Sequence, residues 1–195
     1  MEKKIVFGEI LSNAFSIGLK NFFSLLGCLV LWILTIWIPY VNVGTTIAIA
    51  TIPAALSKGN IISPLEIFNK RYYQFMGEFF LVQGLLMMII LPAMLFLIIP
   101  AFVMSIAYSL ATLLVVDKDK GASEALKISN KLTYGYKWVI FFANLVLALP
   151  LPILFYLSLH ASMFRIIGFL YFIVFIPIIL GAKAFIYQKL SADIQ

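Results

Sequence analysis

Charged residues, cysteine and histidine are scarce in this chain of 195 residues. Only 11% of the residues are charged and 64% are hydrophobic, whereas a soluble domain carries roughly 25% charged and 45–50% apolar residues. A water-soluble core of this size cannot hide so much apolar surface, so lipid must be the solvent for much of it. The composition therefore predicts an integral membrane protein and argues against a soluble domain.

Few side chains are suited to catalysis or metal binding. Cys28 is the only cysteine, so it cannot form an intramolecular disulfide, and His160 is the only histidine. A zinc site needs three or four converging ligands, and nucleophilic catalysis needs a serine or cysteine beside a base. Neither set is visible, so we expect no metal, no cofactor and no enzymatic activity. We interpret His160 as an interfacial side chain.

Long apolar runs are abundant instead, and they predict an all-α fold. The strands of a membrane barrel alternate apolar and polar residues, but the runs here are continuous and close to the roughly 20 residues that a spanning helix needs. The second run contains Pro53 and several Gly and Thr residues, so we expect it to be short, tilted or broken. We expect a single domain over residues 1–195 with six spans, at 21–39, 40–57, 76–95, 97–116, 138–158 and 163–187.

The positive charges mark one side of the predicted bundle. Thirteen of the fourteen Lys and Arg residues flank the spans on the same side, and only Arg165 lies on the other. Basic residues in short loops mark the cytoplasmic face. We therefore expect three helical hairpins in a bacterial inner membrane with both termini in the cytoplasm. The first residues do not look like a cleaved signal peptide, because polar side chains such as Glu9 and Asn13 precede the first apolar run.

The formal net charge of +6 could indicate nucleic-acid binding or contact with a membrane surface. Basic residues beside membrane spans ordinarily meet anionic headgroups. No basic run with interleaved aromatic residues lies away from the spans. We therefore expect membrane lipids, and not nucleic acid, to be the partners of these charges, with a partner membrane protein or a second copy of the chain as further candidates.

Each predicted hairpin follows an amphipathic segment of the kind that lies in the headgroup layer. The first covers about residues 7–20 and the third about 123–137. The second begins with Ser-Pro-Leu-Glu at 63–66, which matches a capping box with proline at the first helical position. Residues 12–20 and 129–137 share the pattern Ser-Asn-x-x-Ser/Thr-x-Gly-x-Lys, which predicts a repeated hairpin unit.

Part of the chain also resembles a known family. The residues that carry the resemblance are Ile99-Pro100, Asp117 after the following span, Glu124-Ala125-Leu126, Ser129, Leu132 and Gly135. Their order is similar to a pattern in YciC-like bacterial inner-membrane proteins and in the membrane domain of some glycerophosphodiester phosphodiesterases. The resemblance implies a six-helix bundle. The phosphodiesterase activity belongs to a soluble barrel that these residues do not contain, so it is not carried over.

Four basic residues are the first candidates for a functional surface. Lys70 and Arg71 lie in the second amphipathic segment, and Lys127 and Lys131 lie in the third. We expect these four residues, which we call the basic collar, to contact anionic lipid or a partner protein. The sequence thus predicts a non-enzymatic multi-pass membrane protein that works through its cytoplasmic surface.

Four polar residues within the predicted spans are the second group of candidates. Charges inside a membrane are costly and are functional candidates by default, so Glu78 and Lys183 could form an ion pair across spans three and six, or could reach water at the span ends. Gln83 and Asn144, with Asn42, could line a cavity between the hairpins. Such a cavity would indicate the alternative function, a small transporter or channel-like protein, although hydrogen bonds between helices would also explain these side chains.

Overall fold

The computed structural model describes residues 5–96, 98–159 and 162–194, and throughout them the fold is an all-helical bundle, as the composition predicted. Two short 3-10 helices cover Pro64–Phe68 and Lys70–Phe75. Lys3, Lys4 and His160 lie outside the described residues. The α-helices are α1 (Phe7–Lys20), α2 (Phe22–Thr35), α3 (Pro39–Leu56), α4 (Met76–Phe96), α5 (Ile98–Ala107), α6 (Ala111–Lys118), α7 (Ala122–Thr133), α8 (Lys137–Ala148), α9 (Pro150–Ser158) and α10 (Ser162–Ser191).

Much of the described chain is long and apolar enough to cross a membrane. The outward side chains of Phe23, Trp37 and Leu95 are 85%, 88% and 88% exposed, which suits contact with lipid and not with water. The pair α1 and α2, bent by 69°, adds a sixth candidate span if the two helices count as one. Within the described ranges the five other candidates are Pro39–Leu56, Lys70–Leu95, Ile98–Lys118, Lys137–Ser158 and Met163–Ser191.

Helix α3 packs against α2, α6 and α10 and is continuous over 18 residues, so of the three alternatives expected for the second span, short, tilted or broken, a break is ruled out. Its polar side chains are satisfied by α2: Thr35 and Thr45 share a hydrogen bond of 2.9 Å between their hydroxyls, and the Trp32 indole N–H donates to the Thr46 hydroxyl at 3.0 Å. The Thr46 hydroxyl in turn donates to Asn42 Oδ1 at 2.6 Å. A helix rich in Thr can therefore stay intact, because its neighbour supplies the partners that lipid cannot.

Helix α1 packs against the second half of α10. Its buried residues, Ile10, Ala14 and Gly18, repeat every four positions and form one stripe. A Cβ atom built on Gly18 would lie 2.7 Å from the carbonyl oxygen of Pro177, and one built on Gly181 would lie 2.6 Å from that of Ala14. The first amphipathic segment therefore covers its buried face with another helix, while side chains such as Phe15 on its other side stay exposed.

The second and third amphipathic segments are also helical, and the second begins at the predicted cap residue, Ser63. Ser63 Oγ accepts the N–H of Leu65 at 3.3 Å, and Pro64 opens a 3-10 helix. The Glu66 carboxylate does not complete a capping box, because it binds the side chains of Arg71 and Tyr72 instead. The part of the predicted capping box that Ser63 provides is thus present, and the part expected from Glu66 is not.

The two copies of the predicted repeat are not equivalent in structure. Gly18 lies inside α1 and allows the close approach of α10, whereas Gly135 lies in the turn after α7 with φ +85°, a conformation that favours glycine. Likewise, Ser12 is exposed and bonds within its own helix, whereas Ser129 is buried and bonds to residues of the preceding helical hairpin. The shared letters therefore do not mark a shared structural role.

Candidate functional site

The four residues of the basic collar differ in whether they pair with other side chains of the fold. Lys70, Lys127 and Lys131 are exposed, and none of them forms an ion pair with any of the described residues. Arg71 is different, since its Nη2 lies 3.2 Å from Glu66 Oε1 and donates to the Tyr72 hydroxyl at 3.2 Å. Three ammonium groups of the collar are thus available to bind an anion, whereas the guanidinium of Arg71 is already paired with Glu66.

Arg71, Tyr72 and Glu66 form a compact polar cluster at the 3-10 helices. The backbone N–H of Arg71 donates to Asn69 Oδ1 at 3.1 Å, which caps the start of the second 3-10 helix. Tyr72 is buried, and its hydroxyl donates to Glu66 Oε1 at 3.3 Å. The guanidinium also lies 5.0 Å from the centre of the Tyr72 ring, a cation–π distance.

A second cluster surrounds Asp117, the penultimate residue of α6. Lys58, just beyond the end of α3, places its Nζ 2.7 Å from Asp117 Oδ1. Tyr187 of α10 donates its hydroxyl to Asp117 Oδ2 at 2.9 Å. Because the Asp117 side chain is only 10% exposed, these bonds are partly shielded from water, and they join the ends of three helices.

Both clusters face one cavity of ≈ 230 Å³ at the basic end of the bundle. Two cations, Lys58 and Arg71, and two carboxylates, Asp117 and Asp119, line it together with polar and apolar side chains. Both cations are already paired with carboxylates, Lys58 with Asp117 and Arg71 with Glu66. The cavity is therefore not a basic pocket, and the paired side chains that line it join helix ends.

Glu78 lies beside this cavity and caps a helix. Its Oε2 accepts the backbone N–H of Ala122 at 2.6 Å, the first residue of α7. A carboxylate at this position satisfies one of the unpaired N–H groups of the helix start and favours its dipole. Glu78 is exposed, and it forms no ion pair with Lys183 in the described part of the chain. The pair that we considered across spans three and six is therefore absent there.

The other polar residues within the predicted spans lie on separate helices. Gln83 on α4 and Asn144 on α8 are half-buried, and neither lines the cavity at the basic end. Lys183 is half-buried on α10. Asn42 bonds locally, since its Nδ2 donates to the Ile36 carbonyl at 3.3 Å and its Oδ1 accepts from a threonine one turn away.

Sequence reasoning missed the cluster around Asp117. Asp117 lies within α6, and Asp119 follows that helix with a left-handed φ of 50°. The partners of Asp117 come from chain positions far away, so only the presence of an acidic residue at the end of an apolar run could have drawn attention to it.

The described residues hold no group of three or more His, Cys, Asp or Glu side chains that could bind a metal ion. No family model, curated protein or solved structure gives a significant match to this chain. The arrangement at the basic end is therefore interpreted from its own geometry: two neutralised polar clusters that join helix ends, beside exposed lysines that have no carboxylate partner within the described part of the chain.

Proposed function

We propose that the chain is a non-enzymatic multi-pass membrane protein whose basic end contacts anionic phospholipid. One observation carries the proposal: Lys70, Lys127 and Lys131 are exposed without ion-pair partners among the described residues, at one end of a bundle with an apolar outer surface. A lysine near an anionic membrane surface contributes about 1 kcal/mol. Three such residues therefore favour contact with anionic lipid by about 3 kcal/mol at low salt.

The proposal includes a bacterial inner membrane with both termini in the cytoplasm. The concentration of lysines at one end supports this orientation, and so does the resemblance of residues 99–135 to YciC-like inner-membrane proteins. It is tested in a Cys28→Ser background that carries one new cysteine, either Asn60→Cys after α3 or Trp37→Cys between α2 and α3. A membrane-impermeant maleimide should reach the cysteine at 60 only from the cytoplasmic side and that at 37 only from the opposite side; the reverse result would overturn the orientation.

The lipid contact is tested by removing the free lysines. The variant Lys70→Gln/Lys127→Gln/Lys131→Gln and the wild type are purified in a neutral detergent and incubated with phosphatidylglycerol in mixed micelles. The phosphatidylglycerol that elutes with the protein is measured at low and high salt. We expect the wild type to retain more lipid at low salt than at high salt, and the variant to lose most of that difference, because exposed charges are screened by salt.

A matched control removes three positive charges that already have carboxylate partners. Arg71, Lys120 and Lys189 lie 3.2, 3.5 and 3.7 Å from Glu66, Glu124 and Glu9. Their replacement by Gln changes the formal net charge by the same amount as the first variant. Lipid retention should stay closer to wild type in this control. An equal loss in both variants would assign the effect to net charge and contradict contact through the free lysines.

The alternative, a small transporter or channel-like protein, needs polar side chains around a shared cavity. Asn42 is satisfied within the α2–α3 hairpin, and Gln83 and Asn144 do not line the polar cavity at the basic end. No observation favours this alternative, so we retain lipid contact as the proposed function. Retention of a protein partner and not of lipid by the wild type would instead favour the collar as a protein-binding surface.

A further inference from the structure

An apolar groove lies between α5 and α8, away from the polar clusters. It has a volume of ≈ 300 Å³, and every lining side chain except that of Lys137 is apolar or aromatic. The α5 side of the groove extends from Ile99 to Ile106, which is roughly 10 Å at the helical rise. The lining residues are Ile99, Phe102, Val103 and Ile106 of α5 and Lys137, Trp138 and Phe141 of α8.

Lys137 marks the end of the groove that lies at the basic end of the bundle, because α8 begins at this residue. Its Nζ donates to Asn130 Oδ1 at 3.1 Å. An ammonium group has three donors, and the described residues provide Lys137 with no carboxylate within ion-pair distance. The group is therefore held in place by a neutral amide while its charge stays uncompensated.

Aromatic side chains form the wall next to Lys137. Trp138 is 65% exposed, and its ring packs edge-on against Phe141, with 6.0 Å between the ring centres. Phe102 on the facing helix meets Phe141 in the same manner at 5.9 Å. Tryptophan is enriched where headgroups meet hydrocarbon, so the position of Trp138 suits a groove that extends from the headgroup level towards the membrane interior.

We propose that this groove holds one acyl chain of an anionic phospholipid whose phosphate binds Lys137 Nζ. The apolar lining suits a hydrocarbon chain, and the single uncompensated ammonium at its mouth suits a headgroup with net negative charge. Other lysines at the same end, such as Lys131, disfavour the additional ammonium of a zwitterionic headgroup. The inference rests on the proposed function and goes further, because it assigns one defined lipid site separate from the lysines of the basic collar.

The test measures lipids that stay bound to the full chain. Protein in neutral detergent is exposed to equal amounts of phosphatidylglycerol and phosphatidylcholine, and retained lipids are counted by native mass spectrometry. Lys137 alone should contribute a preference of about fivefold for phosphatidylglycerol, the factor for one lysine near an anionic headgroup. Lys137→Gln should lower the preference of the wild type by that factor and leave the contribution of the collar lysines. Val103→Phe, which fills the groove, should reduce retention of both lipids, whereas Met104→Phe on the same helix outside the groove should not.

The outcomes separate this inference from the proposed function. If Lys137→Gln keeps the preference while the collar variant Lys70→Gln/Lys127→Gln/Lys131→Gln loses it, the groove site is wrong and the collar contact stands. If neither variant changes the preference, both are wrong. A dimer peak that disappears in Val103→Phe would assign the groove to a second copy of the chain. Because Lys137 is at the start of its helix, its replacement by Gln provides a result even if Val103→Phe does not fold.

Discussion

Replacement of Gly18 by Ala should separate α1 from α10. The added Cβ would lie 2.7 Å from the Pro177 carbonyl oxygen and 2.9 Å from the Ile178 Cα, and both are backbone atoms that no side-chain rotation can move. An ordinary contact begins at 3.4 Å, so the two helices must move apart by about 0.7 Å at this point. That movement also loosens the contacts of the buried Ala14, and overpacking of this type destabilises proteins by about 1–3 kcal/mol.

Gly84→Ala is the matched control, since nothing lies within 4 Å of the Cβ that it adds on α4. The folded fraction is followed by near-ultraviolet circular dichroism as sodium dodecyl sulfate is added. Because membrane helices persist after they dissociate, the readout reports packing and not helix propensity. The control should stay within about 0.5 kcal/mol of wild type.

The double variant gives a sharper version of the same test. Gly181→Ala adds a Cβ that lies 2.6 Å from the Ala14 carbonyl oxygen in the same helix crossing. One displacement relieves both clashes, so Gly18→Ala/Gly181→Ala should lose less stability than the sum of the single variants. If Gly18→Ala behaves like Gly84→Ala, the close crossing of α1 and α10 is wrong.

Two further predictions concern the polar contacts at the basic end. Glu78→Ala should reduce the stability of the start of α7 by about 0.5–2 kcal/mol, the usual effect of a lost cap, and hydrogen exchange at Ala122 should become faster; unchanged exchange would show that the carboxylate does not cap this helix. Tyr187→Phe removes a hydrogen bond to the carboxylate of Asp117, and we expect a loss of about 1.5–3 kcal/mol in the detergent titration. A loss below about 0.5 kcal/mol would mean that Lys58 alone holds Asp117 in place.

The fold class could be predicted because apolar runs of spanning length leave few alternatives. The interruptions within the runs were harder to predict. The run at 138–158 forms two helices that meet at Leu149, next to Pro150, which has no N–H to donate. In contrast, Pro53 lies within an unbroken α3. A proline allows a break, but the packing around it decides whether a break occurs.

The match between residues 12–20 and 129–137 shows a second limit of sequence patterns. Both glycines are needed, but for different physical reasons: Gly18 has no room for a Cβ atom, and Gly135 has a positive φ with open space around it. The sequence records only that a side chain is absent. Backbone conformation and the neighbouring helix decide which reason applies, and neither can be read from the pattern.

The charge asymmetry of the chain indicates a side of the membrane, but it does not indicate which charges are available to lipid. That depends on carboxylates and hydroxyls that folding brings from distant positions. Tyr187 reaches Asp117 across 70 residues of sequence, and Lys58 meets the same carboxylate from the end of another helix. The charge of Lys58 is therefore paired within the fold and is not available to lipid. The lysines that have no carboxylate partner among residues 5–96, 98–159 and 162–194 are therefore the part of the asymmetry that can act on the membrane, and Lys137 differs from the others because an apolar groove opens directly beside it.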